Sequence, residues 1–312
     1  MAPARADLRF DWLEVDGLRL RFATTQAADP SAWRSLYVFS GRTEFIEKYQ
    51  EGLDDWCAMG FRCAILDWRG QGGSDRLLSD RVKGHVESFD DFQADADAFI
   101  EATIASMPRP RWAFGHSMGG HNLLRLTVRR PDLFDGVVLS SPMLGLVGSA
   151  AILKSLRPLL GTAVALGLGG HYGPGQGPTS SVNRAFENNV LTSCRSRYEI
   201  YLSQLRANPH LELGGVTWGW LYAATTSMNR LARDPRVRSL PTPVLVLRAL
   251  NERIVDNEAI RRTAERLPHA ELLDVAGAEH EILLETDERR GVLLAAMDRF
   301  CAVPARLDPP AA

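Results

Sequence analysis

Six short runs of β-branched and aliphatic residues recur along this chain, each bounded by turn residues and separated by longer stretches with helical spacing. They lie at 35–39, 62–67, 111–114, 136–140, 244–248 and 271–275, and an earlier antiparallel strand is expected near 18–23. Runs so continuously apolar suit strands covered on both faces, the usual condition of a parallel sheet. Between them, Phe92, Ala96, Phe99, Ile100 and Thr103 fall on one helical stripe, and Leu123, Leu124, Leu126 and Thr127 follow a glycine pair that can open another helix. Segments 259–267 and 292–300 have the same character. Strands alternating with helices predict an α/β fold with a mostly parallel, doubly wound sheet.

One region breaks the alternation. From 143 to 239, roughly a hundred residues separate two strands that a crossover of about a dozen or more could join. The reading is therefore a core at 1–142 and 240–303, an insertion at 143–239 and a short tail at 304–312. The insertion begins apolar, passes through a glycine-dense stretch at 161–178 and a polar stretch at 188–197, and ends with Trp218, Trp220, Leu221 and Tyr222. Long insertions in compact domains are usually functional, so a helical lid over a site is expected, with a purely structural excursion as the alternative.

Composition excludes several classes. The 312 residues carry 36 basic and 38 acidic side chains, a net charge of −2, so there is no basic field to hold nucleic acid. The four cysteines, Cys57, Cys63, Cys194 and Cys301, form no CxxC pair, which suits neither a disulfide framework nor a zinc site. Residues 1–11 carry charges and no apolar run, so no secretory signal is read and a cytoplasmic location is the default expectation. The apolar stretch at 142–168 is broken by Lys154, Arg157 and Pro158 into pieces shorter than the ~20 residues a spanning helix needs, although it can still touch a membrane surface.

The chemistry is concentrated around Gly115-His116-Ser117-Met118-Gly119, a GxSxG sequence lying between an apolar strand and a helical run. Small residues on either side allow a sharp turn that projects a serine hydroxyl, and a serine becomes nucleophilic only when a base takes its proton. In this arrangement the chain order is nucleophile, acid, histidine, and His280 fits it, following a strand and a loop containing Gly277. For the acid, the loop after strand 244–248 offers both Glu252 and Asp256. Glu252 is nearer the strand end and is preferred, while Asp256, beside Asn257, can instead cap the next helix. The amides of Met118 and of Arg42, which leaves the 35–39 strand through Ser40-Gly41, are the expected oxyanion donors.

Together these residues resemble the α/β-hydrolase family, and within it the monoacylglycerol lipase and bacterial lysophospholipase L2 group. The similar segments are Ser40-Gly41-Arg42-Thr43-Glu44 with Lys48-Tyr49, Asp67-Trp68-Arg69-Gly70-Gln71-Gly72-Gly73-Ser74, the Gly115–Gly120 elbow, Glu252-Arg253-Ile254-Val255-Asp256-Asn257 and Glu279-His280-Glu281-Ile282-Leu283. The resemblance covers about residues 10–301, including Asn189-Val190-Leu191-Thr192 and Thr217-Trp218-Gly219-Trp220 of the insertion. It implies Ser117 as nucleophile, His280 as base and Glu252 as acid, with glutamate replacing the aspartate of much of the wider family. Two departures stand out: Ser40 occupies a position where many members have histidine, and Cys194 replaces a commonly acidic residue.

Expected, then, is a serine hydrolase that cleaves single-chain lipid esters through an acyl-enzyme, with no metal or organic cofactor. A small-ester carboxylesterase shares every catalytic residue, and a non-catalytic binding protein of the same fold is the alternative from another class. Oligomeric state is not legible in the sequence.

Overall fold

The computed structural model describes residues 5–25, 34–178, 182 and 184–302, without the side chains of 149–156. Eight strands form one sheet: β1 (Leu8–Val15), β2 (Leu18–Thr25), β3 (Arg34–Phe39), β4 (Phe61–Leu66), β5 (Arg111–His116), β6 (Gly136–Ser140), β7 (Val244–Ala249) and β8 (Ala270–Val275). Their spatial order is β1-β2-β4-β3-β5-β6-β7-β8. The β1–β2 and β2–β4 pairs are antiparallel and every other pair is parallel.

The core helices are α1 (Gln50–Ala58), α2 (Phe89–Thr103), α3 (Met118–Arg129), α7 (Asn257–Ala264) and α8 (Asp287–Ala302), and the insertion carries α4 (Ser149–Ala165), α5 (Arg195–Ala207) and α6 (Trp218–Arg233). Period-two alternation sends the side chains of each central strand to opposite faces. On β3, Tyr37 and Phe39 join the cluster of α2, α3 and α6, while Leu36 and Val38 join that of α1 and α8. The same division separates Val244 and Val246 from Leu245 and Leu247 on β7. Both faces are therefore dry, which is why β3 and β6 are buried along their whole length.

Strand β1 is not among the sequence expectations. Its sequence, LRFDWLEV, alternates weakly because the strand lies at the sheet edge with most residues exposed. Phe10 and Trp12 are covered there by cations: the Arg21 guanidinium lies 5.1 Å from the first ring and that of Arg19 lies 4.5 Å from the second. The available signal was Asp16-Gly17, the two-residue turn joining β1 to β2, where both φ angles are positive.

The three insertion helices are rooted differently. Helix α6 places Trp220, Ala224, Met228 and Leu231 in the main core cluster. Helix α5 forms a small cluster of its own, Tyr198, Tyr201, Leu202 and Leu205, closed against Phe45 of the segment after β3. Helix α4 packs on α6 and leaves Leu159 exposed, as is Leu166 just past its end. Among the described residues, no helix is long and apolar enough to cross a membrane.

Candidate active site

Between β5 and α3 the chain reverses at Ser117, whose backbone sits at φ 50° and ψ −115°. A non-glycine residue there is strained by about 1–3 kcal/mol and persists only where its surroundings over-determine it. Here the Ser117 N–H donates to the Ser140 carbonyl at 3.0 Å, and the Ser117 carbonyl accepts from Met143 at 2.9 Å and His121 at 3.0 Å. The tightness of the turn requires glycine at 119, because a Cβ there would lie 2.1 Å from the Phe39 carbonyl oxygen.

His280 comes from the loop after β8 and is buried. That loop is pinned by the Asn251 N–H on the Ala278 carbonyl at 2.9 Å and by the Glu281 N–H on the Leu191 carbonyl at 2.7 Å. The His280 Nδ1 lies 2.6 Å from Glu252 Oε2. The other oxygen, Oε1, accepts from the backbone of Arg253 at 2.9 Å, Ile254 at 2.7 Å and Val255 at 3.2 Å. Burial pushes the Glu252 carboxyl up, yet the hydrogen bond and charge of His280, together with the Ile254 and Val255 N–H groups, hold it below its ordinary value. Glu252 is thus an ionised, fully buried acceptor that fixes which nitrogen of the ring points away.

Asp256, on the same loop, turns elsewhere. Its Oδ1 accepts from the Glu258 and Ala259 backbones at 2.8 and 3.2 Å, capping α7. The structure brings Glu252 to His280 and leaves Asp256 at a helix end.

Met118 is the first residue of α3, and no side chain caps that helix, so its N–H is one of the free donors of a helix N-terminus. Arg42 lies in the turn after β3. The adjacent Gly41 N–H is taken by the Glu44 carboxylate, whereas Gln71 Nε2 donates to the Gly41 carbonyl at 2.7 Å and Trp68 Nε1 to the Ser40 carbonyl at 2.9 Å. Where a histidine would stand, the Ser40 hydroxyl bonds the Leu66 carbonyl at 3.3 Å, and the loop is braced by Glu44, Trp68 and Gln71 instead. Cys194, the other departure, is the residue before α5, where its backbone N–H donates to Thr192 Oγ1 at 3.0 Å.

Sequence reasoning assigned no role to the cluster behind the histidine. Lys48 Nζ lies 2.9 Å from Glu44 and 2.7 Å from Glu281, and the Tyr49 hydroxyl donates to Glu44 at 2.5 Å. Despite burial, Lys48 and His116 hold Glu44 down to about 2, while burial raises Glu281. His116, pushed down to about 4 by burial, is neutral and packs 4.7 Å from the His280 ring, centroid to centroid. Oxygens and a nitrogen of Glu44, His116 and Glu281 converge closely enough to ligate an ion, but the Lys48 ammonium already supplies the positive charge between the two carboxylates. That donor set does not fit a metal. The Glu44-x-x-x-Lys48 spacing was the only local signal for it.

Ser117, His280 and Arg42 open on one cavity of about 380 Å³, within the range of small-molecule sites. The insertion brings the apolar side chains Val190, Leu191, Leu213, Val216, Trp220 and Leu221 to the remaining wall, beside the polar Gln176 and Arg184, and the loop after β7 adds Ile254 and Val255.

Residues 31–287 match a family described as serine aminopeptidase, S33. Lysophospholipase L2 of Escherichia coli (strain K12) is 32% identical over 294 residues, covering 92% of this chain and 85% of that protein. Among solved structures, a soluble variant of monoglyceride lipase from Saccharomyces cerevisiae aligns with a TM-score of 0.72 at 17% identity, covering 95% of both chains. A thermostable carboxyl esterase from Bacillus coagulans aligns with 0.74 at 14% identity, covering 95% of this chain and 99% of the other. By sequence along most of its length, and by a mostly parallel eight-stranded sheet, the chain belongs to the serine aminopeptidase S33 family of α/β-hydrolases and is an enzyme of the hydrolase class.

Proposed function

We propose that this chain hydrolyses the carboxylic ester of a single-chain lipid, a lysophospholipid or monoacylglycerol, through an acyl-enzyme on Ser117. The reading is carried by the 2.6 Å contact of Glu252 with His280 Nδ1, beside a cavity that holds Ser117 and takes apolar side chains from the insertion. With Nδ1 donating to Glu252, Nε2 is the nitrogen left to accept a proton.

In the first step Nε2 takes the Ser117 proton as the oxygen attacks the ester carbonyl. The Met118 and Arg42 amides receive the developing oxyanion, and the Glu252 carboxylate stabilises the imidazolium. The imidazolium then protonates the departing glycerol oxygen, leaving the acyl group on Ser117. Water enters, Nε2 takes its proton, and collapse of the second tetrahedral species returns that proton to Ser117 and releases the fatty acid. Every proton taken in one half-reaction is returned in it.

The substrate class is supported by the kinship to lysophospholipase L2 and by the apolar wall. The insertion acts as the lid of this site, and Leu159 and Leu166 on its outer surface, 52% and 73% exposed, give it a face for peripheral contact with lipid aggregates. A fluorophosphonate probe is expected to label the wild type and not Ser117→Ala. Long-chain lysophospholipids and monoacylglycerols are expected to be cleaved faster than acetyl or butyryl esters. Labelling that survives the substitution, or activity confined to the short esters, overturns the reading.

A further inference from the structure

Arg42 carries a second feature besides its main-chain amide. Arg42 lines the same cavity as Ser117 and His280, and its guanidinium lies against Gly214 and Trp220, which line it too. Among the described residues no carboxylate pairs with it: Nη2 donates to the Gly214 carbonyl, a neutral acceptor, and Nε is sealed from solvent with no partner. One ring of Trp220 lies 5.6 Å from its Cζ. Space for it is made by glycine, since a Cβ on Gly84 would lie 2.6 Å from Nη2.

A buried cation without an acid is costly, so such groups are almost always paired. Burial lowers this guanidinium to about 10, which leaves it charged at neutral pH. The other charges on the cavity do not neutralise it. Glu281 is engaged by Lys48, and Arg184 adds a second cation at an exposed position of the wall. An aromatic plate, a fixed neutral carbonyl and no carboxylate partner, among residues that line a substrate cavity, make an arginine site suited to an anion.

We propose that Arg42 binds the phosphate of the substrate headgroup, so that the site prefers a phosphorylated single-chain glycerolipid to its neutral counterpart. This rests on the ester-hydrolase reading and narrows its substrate. The assignment is geometrically economical. One residue presents an amide to the ester carbonyl and a guanidinium to the phosphate, two groups that a glycerol backbone holds about an arginine's length apart.

The test uses octyl ether analogues, which bind but have no ester to cleave. Binding of octyl lysophosphatidate and of octyl glycerol to the whole protein is measured by calorimetry, beside hydrolysis of the corresponding esters. The wild type is expected to favour the phosphate analogue by about 10- to 100-fold, the scale of one charge-assisted pair. Arg42→Met is expected to abolish the preference and Arg42→Lys to restore part of it. Effects of the variants transmitted through the main chain act on both substrates and cancel in the ratio. Because the substitution removes an uncompensated buried charge, Arg42→Met is expected to keep or raise the melting temperature.

Equal binding of the two analogues by the wild type, or a preference unchanged in Arg42→Met, overturns the proposal. Inorganic phosphate and glycerol 3-phosphate are expected to compete only weakly, and inorganic phosphate binding as tightly as the ether lipid would overturn the headgroup assignment. An Arg42-dependent preference in binding, in a wild type that cleaves no ester, upholds the anion site and sinks the ester-hydrolase reading alone.

Discussion

The floor and the wall of the cavity are built by opposite means. The floor, at the carboxyl ends of β5, β7 and β8, holds Ser117, Glu252 and His280 by backbone hydrogen bonds to neighbouring strands and loops. The wall comes largely from the insertion, where α6 is rooted in the main core, α5 closes a small cluster against Phe45, and α4 rests on α6 with Leu159 in solvent. Fixed dipoles at the carboxyl ends of the strands cost no reorganisation when charge develops, whereas the wall is tied to the core through side chains, Arg197 of α5 to Glu51 and Asp287 and Gln204 to the Glu47 carbonyl, which can be changed without disturbing those dipoles. On the proposed reading, chemistry and acyl-chain choice fall on different parts of the chain, with the headgroup contact of Arg42 kept on the core, and substitutions in the two regions should separate rate from chain-length selectivity.

The largest effect is expected on the floor. Ser117→Ala should lower hydrolysis of every ester at least about 1,000-fold, whatever its acyl chain, because the residual rate then comes from binding and the oxyanion donors alone. Steady-state rates on a long and a short ester check this. A loss confined to one of them would mean that the division between floor and wall is wrong.

Next comes the pair of carboxylates on one loop. Glu252→Gln keeps the shape but removes the charge beside His280, and kcat is expected to fall by about 100- to 10,000-fold. Asp256→Ala removes a helix cap, so kcat should stay within about threefold while unfolding in urea shows a loss of about 1 kcal/mol. Comparable rate losses in the two variants would contradict the assignment of the acid.

The third test concerns the buried cluster under the floor. The Glu44 carboxylate is held by Lys48, Tyr49 and the Gly41 N–H, interactions that a neutral amide cannot replace, so Glu44→Gln is expected to cost about 3 kcal/mol at pH 7. Folded Glu44 titrates at about 2 against 4.5 unfolded. A depressed carboxyl contributes stability above its unfolded value and loses it as pH falls through its folded value. Wild type and variant should therefore converge between pH 4.5 and pH 2 in urea melts, and a difference that stays constant across that window would remove Glu44 from the account.

How much of this was legible follows from how local each signal is. The turn at Ser117 is written in five consecutive residues, and the central strands announce themselves because burial on both faces leaves only apolar side chains to choose from. Between Glu252 and Asp256 the sequence supplied a preference for Glu252 without excluding the other, since both follow β7 and both suit a loop; what separates them is the direction each side chain takes. The Lys48–Glu281 pair spans 233 residues and was invisible for that reason. Strand β1 was missed because an exposed edge imposes little on composition, and only the Asp16-Gly17 turn recorded it.

The smallest effect belongs to the outer surface of the wall. Leu159 on α4 and Leu166 just after it are exposed, and neither lines the cavity. If they meet a lipid aggregate, each recovers part of the roughly 1.5–3 kcal/mol that burying a leucine side chain provides. Replacing both by aspartate should lower activity on long-chain substrate presented in vesicles about tenfold, while kcat/KM on a monomeric short-chain ester stays unchanged. Salt sharpens the result: added ions leave an apolar contact intact but screen an ionic one, so the wild-type vesicle activity should persist at high ionic strength. Equal loss on both substrates would place the leucines in the fold of the insertion, and no loss on either would mean that the wall meets its lipid one molecule at a time.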